Sequence, residues 1–335
     1  MIPSHEGEFL RVHIQSNPEA PMVFQVTPER LEAALRRHAA VIHRVEVSLG
    51  TTPEQLDAAL KEVNVLVGWT FPQKGLEQLA PHLKWIHVWG AGIDHLLPLD
   101  WLPKGVFLTN NRGVHVPKAR EYIQMAILML HTQIPALVTS QQQRRWDERF
   151  STLVARQTIL IVGVGHMGSA AAKAAKQLGM HVLGIRRSNK GHRYVDEMYG
   201  PEALPRLLPR VDILLVTTPL TAKTQGLIGR QELDLLRPQA GVINLGRAPV
   251  MDYDALADKL EKGELSGAIL DVFEPEPLPA ESRLWSTPNL ILTPHVASDD
   301  SERYIPLTLD LLFENIERYF SDRPLRNRVR RRLEY

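Results

Sequence analysis

Three residues able to do acid–base and electrostatic chemistry follow three apolar runs in the C-terminal third of the chain. Arg247 comes just after the run 241–245, Glu276 lies in Asp271-Val272-Phe273-Glu274-Pro275-Glu276-Pro277, and His295 closes Thr293-Pro294-His295. Each run reads as a strand, so each residue sits just past a carboxyl end, where ligands bind in open parallel sheets. A cation, a carboxylate and an imidazole set around a nicotinamide suit hydride transfer to a carbonyl beside a carboxylate. Singly, each has a plainer role. A histidine after proline can cap a strand, Arg247 can be a solvated loop residue, and by composition Glu274 competes equally with Glu276.

A nucleotide cradle precedes them. Gly163-Val164-Gly165-His166-Met167-Gly168 stands between an apolar run and an alanine-rich helical stretch, 170–178. Gly163 suits a tight turn, Gly165 lets backbone approach a pyrophosphate, and Gly168 lets helix and strand pack closely. The helix start adds unpaired N–H groups and partial positive charge. In NAD-binding loops an acidic residue about 20 positions on holds the ribose hydroxyls. Here the next strand, 181–185, runs into Arg186, Arg187 and Ser188, with Lys190 beyond. A carboxylate would repel a 2′-phosphate, whereas a guanidinium pairs with one through two hydrogen bonds. This favours NADP(H). NAD(H) stays open, with two solvated arginines beside an unanchored ribose.

The elements that must position these groups alternate along the whole chain. Strands are expected at 10–14, 45–49, 63–67 and 85–88, with helices opening at Thr27-Pro28 and Thr52-Pro53 and another over 75–83. A mostly apolar helix is expected over 118–132, then a second strand series at 159–164, 181–185, 213–217, 241–245, 267–272 and 290–293. The near-continuous apolar character of these runs fits strands buried on both faces. A helix over 301–320 follows, and Leu325, Val329 and Leu333 suggest that the basic cluster 326–332 is the solvated face of a terminal helix. The sum is two doubly wound α/β domains, a flavodoxin-like substrate domain (1–108 plus 300–335) and a Rossmann dinucleotide domain (109–299).

At 335 residues two domains are expected, and a net charge of +1 gives no argument for nucleic acid or an acidic membrane surface. The chain has no cysteine, which rules out disulfides, thiolate metal sites and a cysteine nucleophile. No metal site is expected. Neither a signal peptide nor a run of membrane-spanning length is visible, so a cytoplasmic protein is the simplest account.

Taken in order, the motifs resemble the D-isomer-specific 2-hydroxyacid dehydrogenases, in character nearest the glyoxylate/hydroxypyruvate reductases. They are Gly90-Ala91-Gly92-Ile93-Asp94, the glycine loop, Thr218-Pro219-Leu220-Thr221 with Thr224, Ile243-Asn244-Leu245-Gly246-Arg247, the segment 271–277 and Thr293-Pro294-His295. The resemblance selects Glu276 over Glu274, because the acid directly precedes the second proline. It implies that His295 donates the proton, Glu276 orients its ring, and Arg247 binds the substrate carboxylate and polarises the keto oxygen. It further implies that backbone N–H groups at Ala91, Gly92 and Ile93 hold the same carboxylate from the other domain. Cofactor contacts are implied at Thr218, Pro219, Thr224, Leu245, Gly246, Asp271 and His295, with Asp271 near the nicotinamide carboxamide. Trp69 either shapes the pocket around the acid's side chain or packs in the small-domain core. Trp146, in a segment that helps form dimers in relatives, suggests a homodimer.

Two departures are visible, Ala248 where glycine is usual and Arg120-Glu121 where many members have Ala-Glu. The implied activity is reduction of a small 2-oxoacid, glyoxylate or hydroxypyruvate, in a cleft whose closure excludes water. The alternatives are an NAD-linked phosphoglycerate- or lactate-type dehydrogenase, or a nucleotide-sensing corepressor-like protein that keeps the triad.

Overall fold

Threonine followed by proline opens the first two helices. Thr27 caps Pro28–Arg37 by accepting from the Arg30 N–H at 3.3 Å, and Thr52 forms a capping box with Gln55 at the start of Pro53–Leu60. Such a cap contributes about 1 kcal/mol, and proline in the first turn has no N–H to leave unpaired. The computed structural model describes residues 5, 7–188 and 190–331. The chain divides into two units, Met1–His115 with Asp299–Tyr335, and Val116–Ser298.

The first unit holds a parallel sheet of β1 (Leu10–Gln15), β2 (Val45–Gly50), β3 (Val65–Gly68), β4 (Trp85–Val88) and β5 (Phe107–Asn110), in the order β2-β1-β3-β4-β5. That is the flavodoxin-like winding. Alternation sends Val65 and Val67 to one face, under helices Pro28–Arg37 and Tyr304–Phe320, and Leu66 to the other, against Leu60, Leu76 and Leu96.

The second unit holds β6 (Thr158–Val162), β7 (His181–Ile185), β8 (Glu197–Tyr199), β9 (Ile213–Val216), β10 (Gly241–Asn244), β11 (Gly267–Leu270) and β12 (Leu290–Leu292). All pair in parallel, in the order β12-β11-β10-β9-β6-β7-β8. Counted from β6, this is the Rossmann order with a seventh strand added. Ile159, Ile161 and Ile243 face helices Val116–His131 and His166–Gln177, while Leu160, Val162 and Val242 line the opposite core.

Four local expectations change. The helix expected over 75–83 shortens to Leu76–Leu79. Helix Ile134–Gln142 was not anticipated: Gln133, in the left-handed region at φ 58°, turns the chain by 64°, and Pro135 restarts it. Strands β5 and β8 are additional, their Thr109, Asn110 and Glu197 having hidden them among polar residues. Finally, 326–331 is not a terminal helix. Arg328 bridges Thr109 in antiparallel fashion, the Val329 N–H donates to Leu108 O at 2.8 Å, and Asp322 and Asn327 have positive φ, which interrupts a right-handed helix. Arg332 and Leu333 lie outside the described residues. No single helix among the described residues is long and apolar enough to cross a membrane.

Candidate active site

Arg247, Glu276 and His295 follow β10, β11 and β12, which are consecutive neighbours, so their loops leave the sheet side by side. The His295 Nδ1 lies 2.8 Å from Glu276 Oε2 and 3.1 Å from Oε1. With Nδ1–H donating to the carboxylate, Nε2 is the ring nitrogen left to meet a substrate. Glu276 is itself fixed, its Oε1 accepting from the Phe273 N–H at 2.8 Å.

The His295 backbone is strained. Its φ of 55° is left-handed, a conformation that costs a non-glycine residue about 1–2 kcal/mol and persists only where surroundings impose it. Asp271 imposes it. Its buried carboxylate accepts from the Thr293 hydroxyl at 2.6 Å, the Val296 N–H at 3.0 Å and the Ala297 N–H at 3.1 Å. Since Thr293 gives its proton to Asp271, the Tyr122 hydroxyl, 2.6 Å away, donates to Thr293. Burial raises the Asp271 pKa above the ordinary carboxylate value, against the lowering effect of these bonds and of His295. Burial likewise pushes Tyr122 up to about 12, keeping it a donor.

A second brace joins the loops of Arg247 and Glu276. The Asn244 side chain accepts from the Gly246 N–H at 2.9 Å and donates to Arg247 O at 3.2 Å and to the Tyr253 hydroxyl at 2.9 Å. Tyr253 passes its own proton to Val272 O at 2.8 Å. The Arg247 guanidinium donates to Gly246 O at 2.9 Å.

The glycine loop fits a dinucleotide. Gly163 has φ +104°, and a Cβ on Gly168 would stand 2.2 Å from Gly163 O, so turn and helix start meet only without side chains. A Cβ on Gly165 would meet nothing within 4 Å, which leaves open space over the loop. The first helical bond runs from the Ser169 N–H to Gly165 O, so the N–H groups of His166, Met167 and Gly168 precede the ladder at the positive end of a twelve-residue helix. Beside Gly163 lies Thr218, whose Oγ1 is the buried side-chain polar atom without a partner among the described residues. Thr224 ties the neighbouring turn by donating to Pro219 O at 2.7 Å, and Leu245 is buried one residue before Gly246.

The D-isomer specific 2-hydroxyacid dehydrogenase family, through its NAD binding domain, matches residues 124–297. A glyoxylate/hydroxypyruvate reductase B of Pectobacterium atrosepticum is 33% identical over 84% of this chain and 88% of its own. The chain belongs to the D-isomer specific 2-hydroxyacid dehydrogenase family. It is an NAD(P)-dependent oxidoreductase. Among solved structures, a family member from Xanthobacter autotrophicus Py2, in complex with NADPH and MES, superposes with TM-score 0.83 at 30% identity, covering 98% of this chain and 100% of that one. The NADPH-dependent glyoxylate/hydroxypyruvate reductase of Sinorhizobium meliloti, in complex with NADP and sulfate, gives 0.80 at 30% identity with the same coverage.

In this dehydrogenase the Arg186 N–H continues the sheet, donating to Tyr199 O at 3.0 Å, while its guanidinium donates to Lys190 O at 3.3 Å. Arg187 and Ser188 are exposed, and no carboxylate occurs between Arg186 and Arg193. The His192 pKa is lowered by burial and by the charges of Arg186 and Arg193, a mark of local positive potential.

Within the first unit, Ala91, Gly92 and Ile93 follow β4, and the Trp69 ring lies over Gly90, where a Cβ would stand 2.7 Å from it. Trp69 is half exposed and absent from both cores of that unit. His95 stacks on it at 4.7 Å with planes 4° apart, and its Nε2–H donates to Trp69 O at 3.1 Å. The sequence singles out Arg247, Glu276 and His295 and carries Asn244 and Thr293 in its motifs without a role, but it passes over Tyr122, Tyr253 and His95. Their only signal was a polar residue within or beside an apolar run.

Proposed function

We propose that this enzyme transfers a hydride from NADPH to a small 2-oxoacid, glyoxylate or hydroxypyruvate, giving the corresponding 2-hydroxyacid. The observation that carries the reading is the 2.8 Å bond between His295 Nδ1 and Glu276, on a loop clamped in a strained backbone conformation. A bound nicotinamide dinucleotide supplies the hydride. As the keto carbon accepts it, negative charge grows on the carbonyl oxygen, and His295 Nε2 delivers a proton there. Glu276 fixes the ring through the other nitrogen. Arg247 contributes fixed positive charge to the substrate carboxylate and the developing oxyanion. The N–H groups of Ala91, Gly92 and Ile93 bind the carboxylate, and the Trp69–His95 pair beside them limits the side chain of the acid. The similarity to the glyoxylate/hydroxypyruvate reductases of Pectobacterium and Sinorhizobium supports this substrate class.

For the dinucleotide, Gly163, Gly165, His166, Met167 and Gly168 would cradle the pyrophosphate, with Thr218, Pro219, Thr224, Leu245, Gly246 and Asp271 lining the remaining contacts. Arg186, Arg187 and Ser188 would hold the 2′-phosphate of NADP. Two neighbours bound to NADPH or NADP support that preference. We also propose a homodimer, built on the exposed Trp146, Phe150 and Leu153.

The test follows absorbance at 340 nm with NADPH and NADH against a panel of 2-oxoacids. NADPH oxidation with glyoxylate or hydroxypyruvate is expected, and no oxidation of either cofactor across the panel would overturn the reading. Arg186→Asp should cut kcat/KM for NADPH by about tenfold to a hundredfold, the worth of a charge-assisted pair, and leave NADH use intact. An unchanged NADPH/NADH ratio would refute the phosphate assignment.

A further inference from the structure

The segment that leaves β4 has three consecutive carbonyls held by neighbouring residues. Trp89 O accepts from the Asn111 side-chain amide and from the Tyr304 hydroxyl, the latter at 2.7 Å. Gly90 O accepts from the Asn111 N–H at 2.9 Å, and Ala91 O accepts from the Asn110 side-chain amide at 2.7 Å. Three consecutive carbonyls are thus held by two residues at the end of β5, both fully buried. The N–H groups of Ala91, Gly92 and Ile93 find no acceptor among the described residues. Successive N–H groups directed away from fixed carbonyls form an anion-binding concavity.

The orientation of Asn111 is set by a directional chain through the interior. Trp85 Nε1–H donates to Thr109 Oγ1 at 2.7 Å, so the Thr109 proton goes to His87 Nδ1, also at 2.7 Å. His87 Nε2–H then donates to Asn111 Oδ1 at 3.1 Å, which leaves the Asn111 amide N–H groups for Trp89 O and Thr308 Oγ1. Thr308 ends the chain by donating to Tyr304 O at 2.8 Å. Each member has one consistent donor–acceptor assignment, so the amide cannot flip without leaving buried groups unpaired.

We propose that Asn110 and Asn111 are positioning residues for the substrate carboxylate: by holding the carbonyls of Gly90 and Ala91 inward, they preset the N–H groups of Ala91 and Gly92, the other ends of the same two peptide units, to receive it. This rests on the reading that the N–H groups of Ala91, Gly92 and Ile93 bind the 2-oxoacid. Neither asparagine touches substrate. Each acts by removing the alternative peptide orientations that a glycine-flanked turn would otherwise sample, which lowers the ordering cost of binding.

The decisive variants are Asn110→Asp, which keeps shape but sets an acceptor against Ala91 O, and Asn110→Ala. Steady-state kinetics give KM and kcat, isothermal titration with oxalate in the presence of NADP measures anion binding, and fluorescence titration gives NADPH affinity. KM for the 2-oxoacid and the oxalate Kd should each rise about tenfold, the equivalent of one lost buried hydrogen bond, while NADPH affinity holds. Folded variants with unchanged KM and oxalate affinity, or with NADPH affinity falling in parallel, overturn the proposal. Should Asn110→Asp fail to fold, Asn110→Ser carries the same measurements. Wild-type protein that binds oxalate Asn110-dependently but reduces no 2-oxoacid would sink the functional reading and keep this one. Turnover with variant KM unchanged would do the reverse.

Discussion

Replacing Asp271 with asparagine separates positioning from chemistry, because the side chain keeps its shape and loses its charge. In the wild type its carboxylate takes the Thr293 hydroxyl and the N–H groups of Val296 and Ala297, at 2.6–3.1 Å. If the amide oxygen of the variant occupies the Oδ1 position, it retains Thr293 and Val296 as neutral bonds. Its NH2 then faces the Ala297 N–H, donor against donor, and that N–H keeps only its contact to the Oδ1 position, 3.2 Å in the wild type. Charge assistance is worth about 1 kcal/mol per bond, and a blocked buried donor costs about 1–3 kcal/mol. Against this stands the burial penalty of the ionised carboxylate, which asparagine removes, so the net change in stability is small. The loop loses what balances the strain at His295, and each 1.4 kcal/mol of misplacement is about tenfold in rate.

We therefore expect kcat to fall about tenfold to a hundredfold while NADPH affinity changes by less than about threefold. The pH dependence adds a sign. The folded-state pKa of Asp271 is raised by burial, so its ionised form destabilises the fold, and stability from this group declines as pH rises through that pKa. Activity runs oppositely: acid protonates the carboxylate, disarms the clamp and lowers kcat. The variant should lack this acid limb. Stopped-flow reduction across the acid range reads it directly, and an identical limb in Asp271→Asn would refute the clamp.

Trp69→Ala should raise kcat/KM for phenylpyruvate relative to glyoxylate by about tenfold or more, the usual worth of pocket volume, and His95→Ala should reproduce part of that change while His95→Phe restores it. Trp146→Asp should shift the molecule from dimer to monomer in light scattering, with the melting profile of each unit otherwise retained. His87 is buried and neutral with its pKa pushed down to about 4, so the unfolded state takes up its proton first as pH falls. Stability from this site is therefore full above pH of about 6.5 and lost toward pH 4, and His87→Gln should flatten the acid side of the stability profile measured in urea.

The strands of the second unit were legible because parallel strands buried on both faces carry unbroken apolar runs, as in β9 and β10. The glycine loop was legible because its spacing answers a backbone requirement, seen in the 2.2 Å approach that a Cβ on Gly168 would make. Strand β5 was missed for the opposite reason. Its Thr109 and Asn110 are polar yet fully buried, and their partners Trp85, His87 and Ala91 lie at sequence distances no local pattern spans. The basic stretch 326–331 misled in the same way. Its apolar spacing is helical, but Val329 is buried by joining the edge of β5.

What escaped the sequence has a common form. At the carboxyl end of β5, β10 and β11 stands a fully or nearly buried amide or carboxylate, Asn110 with Asn111, Asn244, and Asp271; Asn110, Asn111 and Asp271 bond to backbone of the loop after the neighbouring strand, and Asn244 to backbone of its own loop and, through the Tyr253 hydroxyl, to the next. The strands are rigid because their apolar faces are packed, but loops beyond them have no such packing. A buried polar group at the strand end transmits the rigidity one step further, since leaving its partners unpaired costs about as much as losing a core methylene or two. The residues proposed to do the chemistry can then be few and exposed, as His295 and Glu276 are, while geometry is stored behind them. Substitutions in that hidden layer should register in KM or kcat before they register in melting temperature, because the strand remains packed and only the loop it presents is released.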